Sequence, residues 1–304
     1  ISHTIGLTSS GALFTWGGNA NGELGIGLTG TLANRSSPVQ IGSDVYTQAE
    51  DTFAIRNDGT LWAWSNNTGS EGSLAPITFS SPVQIGTFTT WNNLGQSQNS
   101  GTLRTAIASN GRMYQWGTNV INYRNTSTAG IISATVVTTA FQESWTSIAA
   151  GYSHALAIRS DGMLFSWGAN ESGQIGNGTW NFGAGQRAVQ RPVFIGTSSW
   201  TMVLGASSIN AGTWTGISGA IRSDGALFTW GTGGLLGGPT TNRSSPTQLG
   251  TSSWRSIPST NRFMSTTDGT LFIWAVTASY PSGDVFQVAK SSPTQIVVSE
   301  YGTD

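Results

Sequence analysis

"SDGMLFSWG", Ser160 to Gly168, returns almost unchanged as "SDGALFTWG", Ser223 to Gly231. Looser copies stand at "SSGALFTWG" from Ser9, "NDGTLWAWS" from Asn57, "SNGRMYQWG" from Ser109 and "TDGTLFIWA" from Thr267. The Trp that closes each phrase falls at Trp16, Trp64, Trp116, Trp167, Trp230 and Trp274, with spacings of 48, 52, 51, 63 and 44. A noisy period near fifty residues marks a repeat architecture, in which one supersecondary unit is stacked many times.

Other phrases keep the same phase. "SSPVQIG" begins at Ser36 and Ser80, "RPVFIG" at Arg191, "SSPTQLG" at Ser244 and "SSPTQI" at Ser291. A Trp-led run follows, as in "ESWTSIAAG" from Glu143 and "TSSWRSI" from Thr251. Each unit therefore reads as four short strands: a, "PVQIG"; b, "WTSIAAG"; c, "HALAIRS"; d, "MLFSWG". The c–d junction is Asp-Gly in four copies, Asn-Gly in one and Ser-Gly in one, which predicts a two-residue hairpin turn. The strands lack clean polar alternation, as strands buried on both faces do. Such a unit cannot bury itself alone but can be stacked radially, which gives an all-β propeller. Residues 1–17 supply c and d, and Pro293 onward is readable as a and b. The expectation is one domain over residues 1–304 with six four-stranded blades, the closing blade shared by N- and C-terminal strands; seven blades is the alternative.

Composition narrows the function. Charged residues are only 9% of the chain and the formal net charge is −1, so the electrostatic footprint of a nucleic-acid binder is missing. There is no cysteine, hence no disulfide, thiolate metal site or Cys nucleophile. No apolar run approaches the ~20 residues that span a bilayer, so no membrane insertion is expected. Thirteen Trp and twelve Phe are too many for disorder. His3 and His154 are the only histidines and occupy equivalent places in strand c, which reads as a structural brace. No second His, Asp or Glu stands near them at ligand spacing, so neither a metal nor a cofactor is expected. Glu50 and Asp51 could offer a carboxylate pair, but adjacent residues of a strand point to opposite faces. The turn aspartates are accounted for by turn chemistry. Sequons at Asn34, Asn66, Asn125, Asn170, Asn177 and Asn242 carry little information in a chain this rich in Asn, Ser and Thr.

The stretch "WGANESGQIGNG" (Trp167 to Gly178) with "AAGYSHALAIRSDGMLFSWG" (Ala149 to Gly168) resembles the regulator-of-chromosome-condensation repeat, and "WGGNANGELGIG" from Trp16 matches it too. The resemblance covers essentially the whole chain and is strongest in the first and fourth units; "WGTNVINYRN" and "WAVTASYPSG" have lost the Gly-rich section. It implies a propeller, usually of seven blades. The family's named member exchanges nucleotide on a small GTPase and sits on nucleosomes, but the residues that match here are framework residues, and fold alone does not deliver function.

The departures from the repeat are therefore the candidate site. The longest spacing, between Trp167 and Trp230, divides its excess between the d–a loop from Gly178 to Arg191 and a b–c loop from Gly205 to Gly219. Both emerge on one face of the disc, where a smaller b–c expansion from Asn92 joins them. They carry Trp180, Phe182 and Trp214 beside Arg187 and Arg191, residue types that dominate protein-binding hot spots. No catalytic group is assigned and no enzyme is expected. The sequence predicts a structural or adhesive interaction module on the surface of a virion or extracellular assembly, its partners other proteins of that assembly or a surface receptor. Small-molecule ligands stay unknown. A soluble secreted binder or inhibitor is the second reading and a propeller lyase or glycosidase the third.

Overall fold

The computed structural model describes residues 3–67, 77–97, 104–117, 131–136, 144–151, 154–180, 189–210, 213–232, 241–256, 263–273 and 294–295. These form six sheets in chain order. The first holds β1 (His3–Leu7), β2 (Leu13–Gly17) and β3 (Arg35–Gln40), with a 3-10 turn, Thr31–Ala33, before β3. The second holds β4 (Tyr46–Glu50), β5 (Phe53–Arg56), β6 (Leu61–Asn67) and β7 (Ile77–Gln84). The third is built from β8 (Trp91–Leu94), with β10 (Arg104–Ala108), β11 (Met113–Gly117) and β12 (Ile131–Val136), while β9 (Gln96–Ser97) leaves it. The fourth holds β13 (Trp145–Ala150), β14 (His154–Arg159), β15 (Leu164–Gly168) and β16 (Val189–Phe194). The fifth holds β17 (Trp200–Asn210), β18 (Thr213–Arg222), β19 (Leu227–Gly231) and β20 (Arg243–Gln248); the sixth holds β21 (Trp254–Ser256), β22 (Phe263–Thr266), β23 (Leu271–Ile273) and β24 (Thr294–Gln295). Antiparallel meanders packed face against face in chain order are the blades of a β-propeller.

The phase differs from the sequence reading by one strand. A blade runs b–c–d and then takes the Pro-led strand of the following unit, so β24 completes the sixth sheet and not the first. The first sheet has three strands from the N-terminal side, and β1 has no strand paired on the side away from β2 among the described residues.

The c–d hairpins carry three-residue loops rather than two. At Ser160–Asp161–Gly162, Gly162 N–H donates to Arg159 O (2.8 Å) and only the glycine has positive φ, at 84°. This is a type I turn closed by a left-handed residue. Asp161 Oδ1 accepts Met163 N–H (3.1 Å), and Asp58, Asn110, Asp224 and Asp268 accept the equivalent N–H in their own turns. That bond is why the position is Asp or Asn. The glycine also has a partner beyond its blade: Gly162 O accepts Trp200 N–H from the next one (2.8 Å). The same bond recurs from Tyr46 to Gly11, Trp91 to Gly59, Trp145 to Gly111 and Trp254 to Gly225. A Cβ at Gly162 would lie 2.4 Å from Ser199 Oγ. The turn glycine is therefore a stitch between blades.

The Trp that leads strand b and the Phe and Trp of the phrase build the interior. Trp145–Phe165, Trp200–Phe228 and Trp254–Phe272 meet edge-on at 5.3, 5.2 and 5.1 Å between centroids. Trp64, Trp116, Trp167 and Trp230 are buried between blades. Opposite each of these, and opposite Trp16, the Pro-led strand bulges so that three residues face one Trp, as residues 190–192 face Trp167. Pro38, Pro82, Pro192 and Pro246 sit in those bulges, where a missing N–H leaves no ladder bond unmade. Strand c is buried along its length, as β10 and β14 show, and the Pro-led strands form the exposed edges.

Candidate protein-interaction face

The Gly-rich section after Trp16 and Trp167 is a folded clasp. Asn170 Oδ1 accepts Ile175 N–H (3.0 Å) and its Nδ2 donates to Thr179 O (3.1 Å), closing the loop on one buried side chain. Asn19 does the same for Leu24 and Leu28. The clasp then reaches the next blade: Gly178 N–H donates to Ser244 O (2.7 Å), and Trp230 Nε1–H donates to Gln174 O (2.9 Å). In the first blade Trp64 donates to Glu23 O (2.8 Å). Gly176 is required at this contact, since its φ is 81° and a Cβ would stand 2.5 Å from Trp230 Nε1.

Above the clasp of the fourth blade rises the main departure from the repeat. Residues 205–219, expected as a loop, are instead the end of a β-hairpin. The β17–β18 ladder runs on past Gly205↔Ser218 through five more pairs to Asn210↔Thr213. In the fourth blade the matching ladder stops at Ala150↔Ala155. Five extra pairs project the hairpin by about 16 Å at the usual strand rise.

Its base is anchored. Buried Ser218 Oγ donates to Gln174 O (2.6 Å) and lies 3.0 Å from His154 Nε2, which also reaches Ile217 O (3.2 Å). His154 therefore carries its proton on Nε2. Full burial lowers its pKa to about 4 despite the Ile217 bond, which opposes the shift, so it is neutral and bears no catalytic charge. A Cβ at Gly216 would meet Gln174 Cγ at 2.8 Å, and one at Gly205 would meet Ala150 C at 2.6 Å. Two glycines thus let the hairpin seat directly on the fourth blade.

The residues expected at this site are only partly assembled. Trp180 follows the clasp and is half-buried; Arg191 lies exposed on β16; Trp214 lies on β18 in register with Ile209. Phe182 and Arg187 fall outside the described residues. The smaller expansion from Asn92 is not simply a loop: β9 crosses to pair in parallel with β13 of the fourth sheet. Gln174, Ser218 and His154, which hold the hairpin, were not read together from the sequence. The signal was the coincidence of His154 with the long spacing.

A second polar cluster links the first three blades. His3 Nε2 lies 3.3 Å from both Asp51 O and Asp51 Oδ1, and Arg104 Nη2 donates to Asp51 Oδ2 (2.7 Å) while its guanidinium covers the Phe53 ring at 4.7 Å. Asp51 is not on a strand but in the β4–β5 turn, with φ 55°. Burial raises the Asp51 pKa, and Arg104 with His3 outweighs it, so the carboxylate is held below its usual range. Its charge is spent on joining blades. Among the described residues no three His, Asp or Glu stand together as a metal site would require, and no helix is long and apolar enough to cross a membrane.

Known proteins share this framework. The family described as "Regulator of chromosome condensation (RCC1) repeat" matches residues 10–48 and 145–174, the first and fourth units. Human E3 ubiquitin-protein ligase HERC2 is 28% identical over 192 residues, 59% of this chain and 4% of its own length. Human RCC1-like G exchanging factor-like protein is 26% identical over 194 residues, 58% of this chain and 41% of its own. The chain thus spans less than half the length of the curated relatives it matches. Prp20p from Saccharomyces cerevisiae superposes over 97% of this chain and 75% of its own with a TM-score of 0.71 at 19% identity. Human WBSCR16 does so over 84% and 67% with a TM-score of 0.65 at 15% identity, likenesses that speak for the fold. Repeats, relatives and fold agree: the chain is a β-propeller, and two of its units match the regulator-of-chromosome-condensation repeat.

Proposed function

We propose that this propeller works by contact rather than turnover, as a protein-interaction module whose projecting β17–β18 hairpin is the principal contact element. The five added ladder pairs carry the reading. A rigid element on a rigid scaffold loses little conformational freedom on binding, which is where binding energy is otherwise spent. Trp180, after the clasp, and the exposed Arg191, on β16, belong to the preceding blade. The fold is used for binding elsewhere: yeast RCC1 (Prp20) is bound by Kap60 in one crystal structure, and Prp20p has binding properties toward Gsp1p and histones. A net charge of −1 argues for a protein partner and against nucleic acid here.

The setting belongs to the same proposal: residues 1–304 are one six-bladed disc on the outside of a virion or an extracellular assembly, its partners neighbouring subunits or a surface receptor. Low charge with abundant Ser, Thr, Gly and Asn supports that setting. Spacing supports closure. Tyr301 lies six residues beyond Gln295, as Tyr46 lies beyond Gln40 and Trp254 beyond Gln248, so by spacing it would open a blade's first strand. The native mass of material from its source, by light scattering after size exclusion, tests the setting. Co-migration with a particle far above the 31.8 kDa chain is expected. A free monomer rejects the assembly and leaves the secreted-binder reading. Replacing residues 206–216 by a tight turn should then abolish association without unfolding the disc.

A further inference from the structure

The structure separates sequons that the sequence could not, and we infer that Asn177 is an acceptor for an N-linked glycan while Asn170, seven residues earlier in the same clasp, is not. The inference rests on the proposed extracellular setting. Asn170 is 1% exposed and both ends of its carboxamide are engaged, Oδ1 by Ile175 N–H and Nδ2 with Thr179 O (3.1 Å) and Thr179 Oγ1 (3.3 Å). A sugar on its Nδ2 would break the clasp that receives Trp230. Asn177 is exposed, and its carboxamide is held by the oxygen alone. Oδ1 accepts the Thr179 hydroxyl (2.7 Å) and Thr179 N–H (3.2 Å), while Nδ2 makes no hydrogen bond among the described residues.

In this sequon the hydroxyl two residues on, Thr179 Oγ1, bonds the asparagine carboxamide. Asn34 Oδ1 instead accepts Asn19 N–H (2.9 Å). Asn125 and the Asn66 side chain lie outside the described residues. Gly178 between the two partners is pinned by its own N–H on Ser244 O (2.7 Å), and a Cβ there would meet nothing closer than 3.8 Å, so the turn is fixed yet open to bulk. The co-substrate is a lipid diphosphate-linked oligosaccharide. Asn177 Nδ2 attacks its anomeric carbon, the C–N bond forms, the C–O bond to the diphosphate breaks with its electron pair, and the Nδ2 proton passes to a base of the transferase. The sugar then stands beside Trp180, on the face from which the hairpin projects.

The test is the whole chain secreted from human cells behind a supplied cleavable signal, deglycosylated by peptide N-glycosidase in heavy-oxygen water, with the tag located by peptide fragmentation. The tag is expected at Asn177 and not at Asn170. Asn177→Gln and Thr179→Ala should each remove one glycan from the intact mass, while Thr179→Ser should retain it. An untagged Asn177, in secreted or in retained microsomal chain, overturns the inference, and so does a tag at Asn170. Because the signal is supplied, the outcome is independent of where the chain naturally works, which the native-mass measurement tests separately.

Discussion

Trp230 and Trp167 occupy the same place in successive blades, both buried, yet only one indole N–H is used. Trp230 donates to Gln174 O, whereas Trp167 Nε1 has no partner among the described residues. Phe at either position leaves a similar gap, so the difference isolates the hydrogen bond. Trp230→Phe should cost about 1 kcal/mol more than Trp167→Phe in urea unfolding, since a net hydrogen bond is worth roughly that much and Gln174 O retains only its Ser218 partner. Equal losses would mean the clasp does not depend on this bond. His154 makes a pH prediction at the same scale. Its folded pKa of about 4 lies below the usual 6.5, so between those values the unfolded chain binds a proton that the folded chain does not. Stability is complete above pH 6.5 and falls as pH drops toward 4, by an amount on the order of 3 kcal/mol. His154→Gln should flatten that part of the curve, measured as unfolding midpoint against pH, and an unchanged slope would assign the acid sensitivity to other groups. Asp51 acts lower, losing its contribution only as pH falls below the ordinary carboxylate range.

Clasps and hairpins show which local features the sequence could announce. The Xaa-Gly phrase marks all six c–d hairpins, because Gly takes the left-handed position in each and Asp or Asn caps the following N–H in five. Whether the loop holds two residues or three was not written there. Asp-Gly serves both, and what favours three here is Ser160 N–H bonding Ser144 O at the start of the adjoining strand. The period fixed spacing and left phase open, since a circular repeat can be cut between any two strands; hence the Pro-led strand was assigned to the wrong blade. Residues 205–219 looked like a loop because Gly205, Gly216 and Gly219 are poor strand formers, yet Gly205 and Gly216 are there for close approach to the fourth blade. The clasp glycines give the matching test. Gly176 and Gly178 share φ values of 81° and 82°, but an added Cβ meets Trp230 at 2.5 Å in one and nothing nearer than 3.8 Å in the other. Gly178→Ala should cost about 1 kcal/mol of left-handed strain and Gly176→Ala at least twice that, by thermal or urea unfolding. Similar costs would show that the clasp can lift off Trp230 cheaply.

At the scale of the disc, one seam decides whether the six sheets act as a unit. Each of the second to sixth sheets begins with a strand whose aromatic N–H bonds the preceding turn glycine, from Tyr46 to Gly11 through Trp254 to Gly225. The sixth sheet's turn glycine, Gly269, and the open side of β1 are where the ring would join. Trp16 and Gly17 are half-buried, whereas the matching Trp167, Gly168, Trp230 and Gly231 are buried. A strand beginning at Tyr301 would cover them and give Gly269 O its donor. Removing residues 296–304 should therefore lower the thermal midpoint by several degrees or more, since each kilocalorie is worth about 2–4 °C in a chain above 150 residues. It should also leave β1 as a free edge that pairs between copies, seen as concentration-dependent mass in light scattering. Tyr301→Ala tests the same join more gently, and should lower the midpoint in the same direction as Trp254→Ala while the chain stays monomeric. If both changes at the C-terminal end leave the midpoint where it was, the disc is not closed by this segment. The first blade then takes its fourth strand from elsewhere, as a seventh blade or a partner could supply, and β1 becomes an assembly edge in its own right.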